Sequence, residues 1–257
     1  MNLTFFRGLT RRNLVLCSMA MVGVAGQAEA ILPGKAASPM PPSVPAPMPI
    51  QGKTPEWRIL VVGDSQAQGL AAGFMRLYQR QPNVHVIDRS KIGTGLARNL
   101  YDWPDAVKKL VVSEHADVAV VMFGANDRPT VRVHGKVDPD LAAKFTTLYG
   151  DRVSSIASTL HAAKLPVVWV GHPQVRDPIY NQDMAMLNGI FAANAAKAGA
   201  RFVPVWTVFA GTDGAYDAYG KGTDGETARL RADDGVHMTR GGYDVLAKYL
   251  QGQVGPK

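Results

Sequence analysis

Cysteine is almost missing from this chain: Cys17 is the only one in 257 residues. It sits in an N-terminal stretch that reads as removable. A chain without that stretch carries no thiol, so it forms no disulfide and offers no thiolate to a metal. Long apolar runs are lacking too. The run Leu14 to Ala25 is shorter than the roughly 20 residues that a membrane-spanning helix needs. Blocks of basic residues are also absent. Lys and Arg number 28 against 21 Asp and Glu, but they are scattered. That pattern favours solubility and a mild attraction to anionic polymers, and argues against a nucleic-acid partner. The acidic residues show no metal-ligand spacing, so neither a metal nor an organic cofactor is expected.

The N-terminus has the parts of an export signal. Arg7, Arg11 and Arg12 make a positive region, the apolar run follows, and Ala28-Glu29-Ala30 offers a small-x-small cleavage site. Residues 1–30 therefore read as a signal peptide, with an uncleaved anchor as the other reading. The paired arginines within Thr10 to Val15 also fit a twin-arginine signal. Leu16 precedes Cys17 where a lipoprotein signal has a small residue, which argues against a lipid anchor. The product is expected in the periplasm or outside the cell, with no stable membrane span. Residues 31–56 hold eight prolines and no helix or strand period, the composition of a semi-rigid linker. Residues 57–257 are left as the folded domain, roughly the size of one core.

In that domain, strands and helices alternate. Apolar, β-branched runs predict strands at Arg58–Val62, Val84–Ile87, Asp117–Phe123, Pro166–Val170 and Phe202–Trp206. Helical spacing predicts helices at Gly69–Arg80, Asp105–Glu114, Asp138–Lys164, Asp183–Ala198 and Thr239–Gln251, the last with Thr239 as its cap. Short continuous apolar strands between helices mean a parallel sheet covered on both faces. The expected fold is α/β: a flavodoxin-like three-layer sandwich with five parallel strands in the order 2-1-3-4-5. Ligands bind such sheets at the carboxyl ends of the strands, where the order reverses. Gly63-Asp64-Ser65 and Gly124-Ala125-Asn126-Asp127 end the first and third strands, so they would face each other there.

Ser65 lies at the turn from strand to helix, close to backbone N–H groups that favour negative charge. An Asp-Ser pair in that place also serves as an ordinary helix cap. Asp234-Gly235-Val236-His237 supplies what a serine nucleophile needs. Two intervening residues let the carboxylate reach the imidazole, hold one ring nitrogen as N–H and leave the other to take a proton. No other histidine has an aspartate at this spacing in such a loop. Asn126 and a glycine near Gly93-Thr94-Gly95 would add oxyanion donors, although Asn and Gly also build plain turns.

Gly63-Asp64-Ser65-Gln66, the glycine of Thr94-Gly95, Gly124-Ala125-Asn126-Asp127 and Asp234-Gly235-Val236-His237 together resemble the four blocks of the SGNH/GDSL hydrolases, in the family's order. The resemblance implies Ser65 as nucleophile, His237 as base and Asp234 as its support. It implies an oxyanion hole of Ser65, Gly95 and Asn126, with Gly93 able to stand in for Gly95. Asp88-Arg89-Ser90, Tyr101-Asp102-Trp103-Pro104 and Arg229-Leu230-Arg231-Ala232 look similar to a bacterial exported branch known as a domain of unknown function. The activity implied is hydrolysis of small acyl esters, above all O-acetyl esters, on a small molecule or glycan. An O-acyltransferase with the same triad and a non-catalytic glycan-binding module are the alternatives. Specificity is expected from the loops Gly171–Asp183, with His172, Gln174, Arg176 and Tyr180, and Gly211–Arg231, with Tyr216 and Tyr219. Arg128 and Arg176 would either meet an anionic substrate or make surface salt bridges.

Overall fold

Strands buried on both faces alternate their side chains between two cores, and this sheet does so along its centre. The computed structural model describes residues 56–97 and 101–256. The expected signal peptide, and the linker up to residue 55, lie outside the described residues. The chain runs β1 (Trp57–Gly63), α1 (Ser65–Leu77), β2 (Val84–Asp88), α2 (Trp103–Ser113), β3 (Val118–Met122), and the hairpin β4 (Arg132–Val133) and β5 (Lys136–Val137). It continues with α3 (Pro139–Ala162), β6 (Val167–Val170), α4 (Pro178–Lys197), β7 (Arg201–Val203), the hairpin β8 (Tyr219–Lys221) and β9 (Thr227–Arg229), and α5 (Arg240–Val254).

The main sheet is parallel, in the order β2-β1-β3-β6-β7. Counting only its own strands, this is the expected 2-1-3-4-5. Ile59, Val61, Val118, Val120 and Met122 point to one core, shared with α1 and α5. Leu60, Val62, Ala119 and Val121 point to the other, filled by α2, α3 and α4. The result is the three-layer sandwich, with helices on both faces.

Three local expectations need correction. Helix α1 begins at Ser65, not Gly69, because Asp64 caps it. Helix α4 begins at Pro178, not Asp183, because Asp177 caps it and proline fits a first turn. The last sheet strand stops at Val203 rather than running to Trp206, since Pro204 has no N–H for the ladder. The two short hairpins were not anticipated.

Two contacts close the domain. Gly69 and Gly73 let α5 lie tightly on α1: a Cβ at Gly69 would overlap the Tyr243 ring, and one at Gly73 would fall 2.5 Å from the Tyr243 carbonyl oxygen. The Trp57 indole N–H donates to the Val254 carbonyl at 2.7 Å, joining the first strand to the last helix.

Candidate active site

The site is built where β1 and β3 end side by side. Asp64 accepts from the Gln66 N–H at 2.9 Å, which starts α1 and makes Ser65 its first residue. The Ser65 N–H therefore belongs to the first turn, outside the intrahelical ladder. The Ser65 Oγ lies 2.7 Å from His237 Nε2. His237 Nδ1 lies 2.6 Å from Asp234 Oδ2. The other Asp234 oxygen accepts from the Val236 and His237 N–H groups at 2.8 and 2.9 Å. With Nδ1–H donating to the carboxylate, Nε2 presents its lone pair to the serine hydroxyl. Partial burial pushes the Asp234 carboxyl up, but the bonds from the Val236 N–H and the His237 ring and N–H outweigh it and hold it below its ordinary value. Side-chain exposure is 36% for His237 and 49% for Asp234, so the pair is reached directly from solvent.

Two buried carboxylates align the remaining loops. Asp64 Oδ2 accepts from the Gly124 and Ala125 N–H groups, each at 3.0 Å, tying β1 to the loop after β3. Burial pushes the Asp64 carboxyl up to about 7, against the bond from the Gln66 N–H and helped by neighbouring Asp127. Asp127 in turn accepts from the Leu96 and Ala97 N–H groups at 2.8 Å and from the Tyr149 hydroxyl at 2.7 Å. Asn126 Nδ2 donates to the Thr94 carbonyl at 2.8 Å, which leaves its second amide hydrogen for another acceptor. The glycine-bearing loop is thus fastened to the residues around Asn126.

Gly93 and Gly95 differ sharply in place. Gly93 is exposed, has a left-handed φ of +73° and faces open space. Gly95 is buried, and a Cβ there would overlap the Asp127 carboxylate. Leu96 and Ala97 spend their N–H groups on Asp127, but no acceptor for the Gly95 N–H is found among the described residues.

Arg231 was not singled out as a site residue, yet it braces the histidine loop. It is fully buried. Its guanidinium donates to the carbonyls of Gln174 at 2.5 Å, Val236 at 2.8 Å and, more weakly, His237 at 3.4 Å. The Tyr216 ring lies 5.0 Å from its centre. Burial lowers its pKa. Gln66 adds a second brace: its amide donates to the Val236 carbonyl and accepts from the Tyr243 hydroxyl, both at 2.9 Å. The only sequence sign of Arg231 was its place in Arg229-Leu230-Arg231-Ala232.

The expected specificity loops are partly regular. Tyr180 stands in the first turn of α4 and donates to the Ala125 carbonyl at 2.5 Å. His172 is buried, donates from Nδ1 to the Pro173 carbonyl at 2.8 Å, and is pushed by burial down to about 4. Arg176 packs on Gly235 and donates to the Asp233 carbonyl at 2.6 Å. Tyr219 opens β8 and is exposed. Among the described residues, no group of three or more His, Cys, Asp or Glu is placed to hold a metal, and no helix is long and apolar enough to cross a membrane.

The family described as "Protein of unknown function (DUF459)" matches residues 58–253. A structure from Slackia heliotrinireducens classed as an SGNH hydrolase superposes with a TM-score of 0.53 at 22% identity, over 78% of this chain and 100% of its own. A carbohydrate acetylesterase family member from Sinorhizobium meliloti gives 0.51 at 16% identity, over 77% and 97%. The periplasmic domain of a lipopolysaccharide acetyltransferase from Salmonella ser. Paratyphi A gives 0.50 at 14% identity, over 79% and 85%. No curated protein matches the sequence. At these identities the likeness is one of fold, and the fold is that of the SGNH hydrolases.

Proposed function

We propose that this chain, which belongs to the DUF459 family and has the SGNH hydrolase fold, is an exported serine esterase that removes small acyl groups, above all O-acetyl, from a carbohydrate. The observation that carries this reading is the continuous line from Ser65 Oγ to His237 Nε2, 2.7 Å, and from His237 Nδ1 to Asp234, 2.6 Å. In the first step Ser65 Oγ attacks the ester carbonyl and its proton passes to His237 Nε2. The oxyanion is held by the N–H groups of Ser65 and Gly95 and the free amide hydrogen of Asn126. The C–O bond breaks, and His237 protonates the departing alcohol. A water then attacks the acyl-serine, gives its proton to His237, and the acid leaves as Ser65 recovers its own. Asp234 keeps the imidazole in the required tautomer throughout.

A carbohydrate ester is supported by the company the fold keeps: one neighbour is described as a carbohydrate acetylesterase and another as a lipopolysaccharide acetyltransferase. The second of these favours an alternative in which a sugar hydroxyl replaces water in the second step. The test is 4-nitrophenyl acetate hydrolysis by the purified protein beside Ser65→Ala. Loss of several orders of magnitude in turnover is expected. Equal rates in the two proteins would remove the esterase reading.

A further inference from the structure

We propose that Arg128 forms a carboxylate-binding subsite on the loop that carries Asn126, so that the ester is carried by an acidic saccharide. The inference rests on the esterase reading and names its substrate class. Arg128 follows Asn126-Asp127 directly and is 49% exposed at its side chain. One edge of its guanidinium is committed, because Nε donates to Asp183 Oδ2 at 3.1 Å. One face is committed too, because it lies 4.5 Å over the Tyr180 ring. Tyr180 is itself tied to the Ala125 carbonyl, next to Asn126. The guanidinium is therefore held in a fixed plane at the end of β3. Neither Nη of Arg128 finds an acceptor among the described residues, which leaves a planar two-nitrogen fork. That fork matches the two oxygens of a carboxylate.

Charge counting points the same way. Asp183 is 2% exposed and already pairs with Arg132 through its other oxygen. Two guanidinium groups thus share one buried carboxylate, and the cluster keeps a positive charge on its exposed member. A structural pair would need Arg132 alone. On the histidine side, Arg176 packs on Gly235 and donates to a backbone carbonyl rather than a carboxylate. The carboxylate of Asp233 is taken by Arg229. The carboxylates of Asp234 and Asp127 lie in the same region, so the attraction offered to an acidic substrate is the local one of the exposed Arg128 fork.

The test compares kcat/KM for O-acetylated oligogalacturonate with that for O-acetylated xylo-oligosaccharide of equal length. The acidic ester should be preferred by about tenfold or more, and the preference should shrink as salt rises. Arg128→Gln should lower the acidic-to-neutral ratio by about tenfold to a hundredfold, and Arg128→Lys, which keeps the charge without the fork, should recover part of it. A wild-type ratio near one, or a ratio unchanged in Arg128→Gln, would overturn the proposal; so would a variant that slows both esters equally, as mere misfolding does. Calorimetry of unacetylated oligogalacturonate with Ser65→Ala separates the two readings. Binding that disappears in Ser65→Ala/Arg128→Gln supports the subsite even if no ester is ever turned over. Absent binding, with 4-nitrophenyl acetate still hydrolysed by the wild type, sinks the subsite alone.

Discussion

Arg231→Met should separate the alignment of His237 from its chemistry. The substitution keeps most of the buried volume but removes three donated bonds, to Gln174, Val236 and His237. Two of those carbonyls retain other donors: Val236 accepts from Gln66 and His237 from the Ala232 N–H. Only the Gln174 carbonyl is left with no partner, at a cost of about 1–3 kcal/mol. The bonds lost at the other two carbonyls add about 1 kcal/mol each, partly offset because a guanidinium no longer has to be buried. The sum is about 2–4 kcal/mol, or a fall in Tm of about 4–16 °C in a domain of this size. Loosening the loop by about 1 Å at His237 should cost about 100-fold in kcat. KM for 4-nitrophenyl acetate should change little, because Arg231 is buried away from solvent. The assay is steady-state kinetics beside thermal unfolding, well below the lowered Tm. A variant that loses the predicted stability yet keeps wild-type kcat would refute the argument, since Arg231 would then serve the fold and not the base.

Two further outcomes follow from the same geometry. Gly95→Ala should lower both kcat and Tm, because its Cβ would overlap the Asp127 carboxylate, whereas Gly93→Ala meets open space and should cost only about 1 kcal/mol for its left-handed backbone; kinetics and melting of the pair check this. Asp64 gives a pH signature. Its folded pKa is raised to about 7 from an ordinary 3.8, so the folded state holds a proton that the unfolded chain has released. Its contribution to stability is full below about pH 4 and is lost as the pH rises through 7, so Tm should drift downward over that window and Asp64→Asn should flatten the drift.

The sheet was legible because short, β-branched apolar runs such as Val118–Met122 between helical patterns fit buried parallel strands, and 2-1-3-4-5 is a common order for five of them. The helix starts were harder to place. Asp64-Ser65 offered both a functional turn and a helix cap, and the pair serves as cap and first turn of α1, which the apolar spacing from Gly69 onward did not reveal. Asp177-Pro178 read as loop although an aspartate before a proline is a cap followed by a favoured first residue. The hairpins β4–β5 and β8–β9 escaped because strands of two or three residues carry no period. Within the site, the Ser65, Asp234 and His237 spacing was plain. The choice between Gly93 and Gly95 was not, since two glycines are told apart only by what faces their missing side chains. Arg231 was hidden for a related reason: arginine is almost never fully buried, and nothing local marks the exception.

The joining of the domain's two ends has a bearing on when the protein can work. Trp57 is clasped by Val254, and Gln66, one residue past the serine, is held by Tyr243 of the last helix. Ser65 meets a residue 172 positions further along the chain. A ribosome releases the segment bearing Ser65 long before the one bearing His237, and α5 comes out after both. The pair can settle only when that helix docks on Gly69 and Gly73. Competence is thus withheld from every partly emerged chain and arrives in one late step, so truncation within α5 should abolish activity even though every residue of the triad remains.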